Sequence, residues 1–405
     1  MLLKAVIGRA IDRLGKGVLA VKFPDGTLRG DWAKAEVTIE IVKRRALWRT
    51  IFFGYVGFME SYFNGAINIG GKAPDPLSRL INLTYENPLS NKNPILKVMQ
   101  WVYEWRKDNS SFRRARKNAE AHYNLPAEFF RLFLGETYGY TEGYFARGDE
   151  SQDEAQRAKF DLICRKLLLE PGMKVNEVGS GWGYGAVHAA KHYGVEVVNY
   201  GLVDEQNRIM REMIAKEGLG ERVAVVKKDY RELENEKEVY DRHVSIGVME
   251  HAGFRCHESW IRAIASALKP GGVGVISTMA RGKRQFTEYL ITKHIFPGGY
   301  IPSIPELTKL LFKYDLHIVH EEDLRWHYGK TCALWLEDFR KNWEKIAALD
   351  RKRFTERFRR TWEMYLAGSA ATFFHPKQNL SVYHLVFTKG RSAVYPRDRR
   401  VLSPA

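Results

Sequence analysis

Residues 177–185 read EVGSGWGYG and lead directly into a helical stretch. Gly179, Gly181 and Gly183 let the backbone turn sharply and approach a ligand closely, while the Glu177 carboxylate at a strand end can meet a cationic amine. A plain glycine-rich turn between strand and helix would show the same residues, and NAD competes for such a loop. Further along, Gln206, Asp229 and the pair Glu250–His251 in IGVMEHAG each follow a predicted strand at its carboxyl end, where doubly wound sheets bind ligands. Together they favour adenosylmethionine. His188 and His192 have the i, i+4 spacing of metal ligands, but read as surface groups near a helix C-terminus, and no metal is expected. Cys164, Cys256 and Cys332 form no CxxC pair, which argues against a disulfide framework or a zinc site and fits a reducing cytoplasm.

Short apolar runs at 174–178, 195–200, 223–227, 240–246 and 272–277 read as strands and alternate with amphipathic helical stretches. That alternation predicts an α/β fold with a parallel, doubly wound sheet. The stretch 286–326, with FPGGYIPS at 296–303, interrupts the pattern as an inserted lid, and 381–388 reads as a last strand. Ahead of the sheet, 1–22 is an amphipathic helical stretch, and 17–70 holds short alternating segments, a PDG turn at 24–26 and a helix ending near Gly65. This is a small α+β module. The expected division is an N-terminal domain and linker at 1–118, a catalytic domain at 119–390 with its lid near 283–330, and a basic tail at 391–405.

A chain of 405 residues with 45% apolar and 28% charged residues is globular rather than disordered, and long enough for two domains. Its net charge of +16 calls for an anionic partner: nucleic acid, a membrane surface or an acidic small molecule. The N-terminus lacks the apolar core and cleavage site of a signal peptide, and the most apolar window, 51–59, is too short to cross a bilayer. A cytoplasmic protein in peripheral contact with the inner membrane face is expected.

HYNLPAEFF at 122–130, the glycine loop, DYR at 229–231, the 246–253 segment, LKPGG at 268–272 and IFPGGYIPS at 295–303 together resemble the cyclopropane-fatty-acyl-phospholipid synthase superfamily. KFPDGTLRG at 22–30 and GFMESYFNG at 57–65 resemble that family's small lipid-engaging domain, so the likeness covers nearly the whole chain. The resemblance implies a Rossmann-like methyltransferase fold with a helical lid, S-adenosyl-L-methionine as cofactor and an unsaturated phospholipid as substrate. By the same likeness, Tyr123, Tyr140 and Thr141 border the methionine part of the cofactor, and Glu177, Gly179, Ser180 and Gly181 its amino-acid end. Leu202 and Gln206 fall at the ribose, Asp229 and Tyr230 at the adenine. The family usually has aspartate in place of Glu177 and cysteine in place of Ser180.

Methyl transfer to an alkene leaves a carbocation on the acyl chain, which needs a dry pocket with electron-rich ring faces and a base at one chosen place. Tyr140, Tyr144, Phe145, Trp182, Phe296, Tyr300, Trp326 and Tyr328 are candidate walls, or else ordinary core. In cyclopropane synthases the base is thought to be a bicarbonate held by a glutamate, a histidine, a tyrosine and a cysteine backbone. This chain keeps Glu250 and Tyr328 of that set, but reads Glu142 at the cysteine position and Ser277 at the histidine position, which puts bicarbonate in doubt. Two packed anions raise each other's cost in a dry site, so Glu142 becomes the expected base. The branch of the superfamily that makes methylene- or methyl-branched chains also carries a glutamate there.

The implied activity is therefore C-methylation of an acyl double bond to a methylene or methyl branch, with cyclopropane formation on the same substrate as the alternative. A methylene product would call for a separate reductase, and a homodimer is plausible by analogy. An RNA methyltransferase fits the charge, but MEHAG replaces the Asn/Asp-Pro-Pro-aromatic tetrad typical of base-nitrogen methylation, so no nucleic acid is expected. A lipid-binding protein without catalysis is the remaining reading, disfavoured by the intact glycine loop with Glu177, Glu250 and Tyr328.

Overall fold

The structure, a computed structural model, describes residues 2–88, 94–107, 109–123, 125–391 and 395–396. It forms two compact units, one of residues 1–106 with 332–378 and one of 107–331 with 379–405. Most of the basic tail expected at 391–405 lies outside the described residues.

In the first unit, strands β1 (Leu19–Lys22), β2 (Leu28–Arg29), β3 (Val37–Ile41) and β4 (Ile67–Gly70) make a sheet in the order β2-β1-β3-β4. The PDG turn closes as expected, with Gly26 at φ 84° donating from its N–H to the Phe23 carbonyl. β3 alternates buried and half-buried residues, so Val37, Ile39 and Ile41 form one core face. The helix Arg45–Phe63 breaks at Gly54, whose φ of 52° is costly for other residues.

Residues 332–378 were expected with the catalytic sheet, yet they pack in the first unit. Arg360, on the helix Glu356–Phe374, donates to the carbonyls of Tyr62 and Ile67 and to Asn68 Oδ1, each at 3.1 Å. These bonds tie the late helix to the end of the helix Arg45–Phe63 and to β4.

The second unit is built on seven strands: β5 (Lys174–Val178), β6 (Glu196–Tyr200), β7 (Val223–Val226), β8 (Tyr240–Ile246), β9 (Leu268–Arg281), β10 (Leu316–Asp323) and β11 (Leu380–Lys389). Their order is β10-β11-β9-β8-β5-β6-β7, with β5 to β9 mutually parallel and β10 and β11 antiparallel. β6 lies on one side of β5 and β8 on the other, which opens a crevice at the carboxyl ends of these strands. Within the expected lid are the helices Tyr289–His294 and Ile304–Lys313, but residues 316–323 are edge strand β10 rather than lid. In β10 only Leu316 is buried, so it lacks the apolar signal of the inner strands.

Candidate active site

The glycine loop sits at the carboxyl end of β5. Gly179, Gly181 and Gly183 hold φ of 78°, 59° and 97°, and a Cβ on Gly179 would come within 2.7 Å of Val248. A Cβ on Gly181 would enter open space. Glu177 is buried beneath the loop and accepts a hydrogen bond from the Ser180 hydroxyl. Burial pushes its carboxyl up to about 7 against the lowering influence of Ser180 and Lys159. A buried carboxylate beside a glycine-rich loop fits a ligand that brings a positive charge, and these residues suit the ammonium end of adenosylmethionine.

The remaining expected cofactor residues lie on several elements. Leu202 and Gln206 are half-buried, just after β6 and in the first turn of the helix Asp204–Lys216. Asp229 is buried and caps a 3-10 turn, while its two oxygens take Arg231 Nε and Nη2 at 2.7 and 2.8 Å. The Tyr230 ring packs 4.3 Å from that of Trp260 and its hydroxyl meets Ser259 Oγ at 3.1 Å. Tyr123 ends the helix Phe112–Tyr123, and its side chain lies outside the described residues.

Glu142 lies on a loop pinned from two helices. From Gln152–Lys166, the Ala155 carbonyl accepts the Tyr144 N–H, Gln156 Nε2 donates to the Thr141 carbonyl and Lys159 Nζ donates to Thr141 Oγ1, all at 2.8 Å. From Arg325–Lys341, Thr331 Oγ1 accepts the Gly143 N–H at 2.9 Å and His327 Nδ1 the Phe145 N–H at 3.0 Å. Tyr328 is buried on the turn of this helix that carries those two anchors.

So held, Glu142 is 2% exposed and its Oε1 accepts from Ser277 Oγ at 2.6 Å and His384 Nε2 at 2.9 Å. No hydrogen bond to Oε2 forms among the described residues. Burial raises this carboxyl, but the bond from His384 and the charge of Lys159, with Ser277, outweigh it and hold the group below the ordinary carboxylate value. His384 itself is neutral: burial and the neighbouring Lys166 push it down to about 4. Glu250, on the short helix Met249–Ala252 after β8, accepts the Met279 N–H at 2.6 Å on Oε1, while its buried Oε2 has no hydrogen-bond partner among the described residues. Burial, opposed by that amide, carries Glu250 up to about 7. The expected mutual raising of two anions is thus one-sided: Glu142 is compensated and stays ionised, and Glu250 bears the cost.

The expected wall aromatics fall into separate groups. Tyr140 faces Phe130, Phe133 and Phe296 at 5.8 to 6.4 Å, and Trp182 packs 4.8 Å from Phe130. Tyr144, Phe145 and Trp326 gather around His327. Tyr300 turns elsewhere, with its hydroxyl on Glu306 and its ring against Phe254 and His257. The sequence did not single out Lys159, His384, Lys166 or Glu322. Two fully buried lysines on one helix carry no local signal, and His384 is placed by register, directly opposite Ser277 on β9. Among the described residues no group of three or more His, Cys, Asp or Glu is placed to hold a metal ion.

Residues 110–385 match the family model described as mycolic acid cyclopropane synthetase. The chain belongs to that family. Its curated relatives include a probable fatty acid methyltransferase of Pseudomonas putida, 34% identical over 64% of this chain and 66% of its own length. A cyclopropane-fatty-acyl-phospholipid synthase of Escherichia coli is 32% identical over 69% of this chain and 70% of its own. A tuberculostearic acid methyltransferase of Mycobacterium tuberculosis is 30% identical over 88% and 84%. Among solved structures, a mycolic acid cyclopropane synthase complexed with SAH and CTAB superposes with a TM-score of 0.62 at 30% identity, covering 68% of this chain and 98% of that one. This member of the cyclopropane synthetase family is accordingly an S-adenosylmethionine-dependent enzyme with a Rossmann-like catalytic unit.

Proposed function

We propose that the enzyme methylates the double bond of an unsaturated phospholipid acyl chain through a carbocation, with Glu142 as the base, to give a methylene or methyl-branched chain. Adenosylmethionine supplies the electrophilic methyl group when bound. Glu177 and the glycine loop would hold its amino-acid end, with Tyr140, Thr141, Leu202, Gln206, Asp229 and Tyr230 along the rest of the crevice. Tyr140 and Trp182, whose rings pack on Phe130, would supply the ring faces that favour a cation where water is excluded. The observation that carries this reading is Glu142: buried, ionised, fixed by one oxygen and with no hydrogen bond to the other among the described residues. An anion already stands where bicarbonate would bind, beside Glu250, and a second anion there would be repelled.

Ring closure by proton loss from the new methyl group is the second reading, favoured by the names of several relatives. A hydride shift before deprotonation gives the exocyclic methylene instead, which a separate reductase would have to saturate. The two products have equal mass. Proton NMR of lipids from cells expressing the enzyme separates them: vinylidene or methyl-branch signals are expected, and high-field ring protons alone would decide for the cyclopropane.

An anionic membrane surface is the proposed source of substrate. On the helix Arg45–Phe63 the exposed rings of Trp48 and Phe52 stack at 5.9 Å, next to exposed Lys43, Arg44, Arg45 and Arg49. Aromatic rings with a basic fringe suit the headgroup region, where each basic side chain contributes about 1 kcal/mol. Among the described residues no helix is long and apolar enough to cross a membrane.

A further inference from the structure

The hydrogen bonds around Glu142 admit one arrangement of protons. Glu322 on β10 pairs in register with His384 on β11, which pairs with Ser277 on β9, so three neighbouring strands set these residues in a row. Glu142 is ionised and can only accept, so Nε2 of His384, 2.9 Å from Oε1, carries its proton there. A neutral imidazole then has a bare Nδ1, and this nitrogen lies 2.8 Å from Lys166 Nζ. Lys166 supplies the donor that Nδ1 needs, as an ammonium paired with Glu322, whose side chain is 29% exposed at the edge of the sheet. His384 and Lys166 are both fully buried.

We propose that Lys166, held by Glu322, is a positioning residue of the reaction: by filling the Nδ1 lone pair it keeps His384 neutral, with its single proton on the nitrogen that faces Glu142. This rests on the reading of Glu142 as the base. An imidazolium would bring a second N–H against the ammonium and a positive charge beside the carboxylate. Glu142 would then meet the developing carbocation as half of a neutral ion pair instead of as a full anion, and its stabilisation of that cation would be lost. Ser277 and neutral His384 hold Oε1 by two hydrogen bonds and leave the negative charge in place. No proton moves along this row.

Lys166 is the group that decides the state of His384. Burial and Lys166 oppose an imidazolium, Glu142 and Glu322 favour one, and the opposition prevails. The other titratable groups nearby are engaged elsewhere or act at a remove: Lys159 bonds Thr141 and Gln156, Glu250 bonds the Met279 amide and His327 the Phe145 amide, while His320 acts on Glu322.

Nitrogen NMR of isotope-labelled histidine reads the ring directly, with His384→Gln assigning its signals. In wild type a protonated Nε2 and a bare Nδ1 are expected from about pH 5.5 to about pH 8, whereas in Lys166→Met the ring should take up a second proton near the ordinary histidine value of about 6.5. Turnover is then followed with saturating S-adenosylmethionine and vesicles of an unsaturated phosphatidylglycerol. The ratio of Lys166→Met to wild-type turnover should drop about tenfold from about pH 7.5 to about pH 5.5, while the titration of Glu250, common to both, cancels. No such drop is expected when Lys166→Met is added to His384→Gln, because glutamine donates an N–H and takes up no proton. A pH-independent ratio, or an equal drop in both backgrounds, would make Lys166 merely structural and overturn the proposal. So would a proton on Nδ1 in wild type, a result that does not depend on the folding of any Lys166 variant. Failure of the underlying assignment shows separately, as full turnover by Glu142→Gln with the wild-type tautomer as stated.

Discussion

Glu177→Gln is expected to stabilise the cofactor-free enzyme at alkaline pH and to weaken its hold on the cofactor. Folding raises the Glu177 carboxyl from 4.5 to about 7, with burial as the main cause. A carboxyl raised in this way adds its full stability below its unfolded value, and the contribution disappears as the pH climbs through about 7. At pH 8 the empty site therefore holds a buried anion whose cost is on the order of 3 kcal/mol. Glutamine keeps the shape and an acceptor for Ser180 but removes the charge. Thermal unfolding without cofactor should show the variant melting several degrees above wild type at pH 8 and close to it at pH 5. Calorimetry should show the opposite preference for S-adenosylmethionine: a charge-assisted bond worth about 1.5–3 kcal/mol corresponds to about ten- to hundredfold weaker binding. Equal melting at pH 8, or equal affinity, would refute the assignment of Glu177 as the buried partner of a cationic ligand.

Ser277→Ala removes a 2.6 Å hydrogen bond to the Glu142 carboxylate. Such bonds are worth about 1.5–3 kcal/mol, so the acid limb of the pH–rate profile should move up by about one to two pH units, and an unmoved limb would mean that Glu142 does not govern it. Trp48→Ala with Phe52→Ala should weaken sedimentation with acidic vesicles, each ring contributing up to about 1.5–3 kcal/mol when inserted. Binding of the unaltered enzyme should fall as salt rises, and salt-insensitive binding would contradict a basic, headgroup-facing surface.

The inner strands of the catalytic sheet were legible because each is a short apolar run bounded by turns, and the ligand crevice follows from where such strands end. β10 was not: LHIVHEED carries charges along an edge, and solvent exposure there erases the alternation that marks a half-buried strand. Residues 332–378 misled for another reason. Their helices look like any crossover, and their allegiance is set by long-range bonds such as Arg360 to the Tyr62 carbonyl. In the site, Glu142 and Ser277 were found as departures from a family pattern, but their partner His384 was hidden. No spacing in the chain announces it, because 242 residues separate it from Glu142 and only the β9–β11 register brings them together. Lys159 and Lys166 escaped for the reason that lysines on an amphipathic helix are expected in solvent.

The most direct test of the central claim is turnover by Glu142→Gln on unsaturated phospholipid vesicles, with S-adenosylmethionine binding measured on the same preparation. A loss of about a hundred- to ten-thousandfold in rate with cofactor affinity retained is predicted for the removal of a general base. Full turnover by this variant would contradict the role given to Glu142.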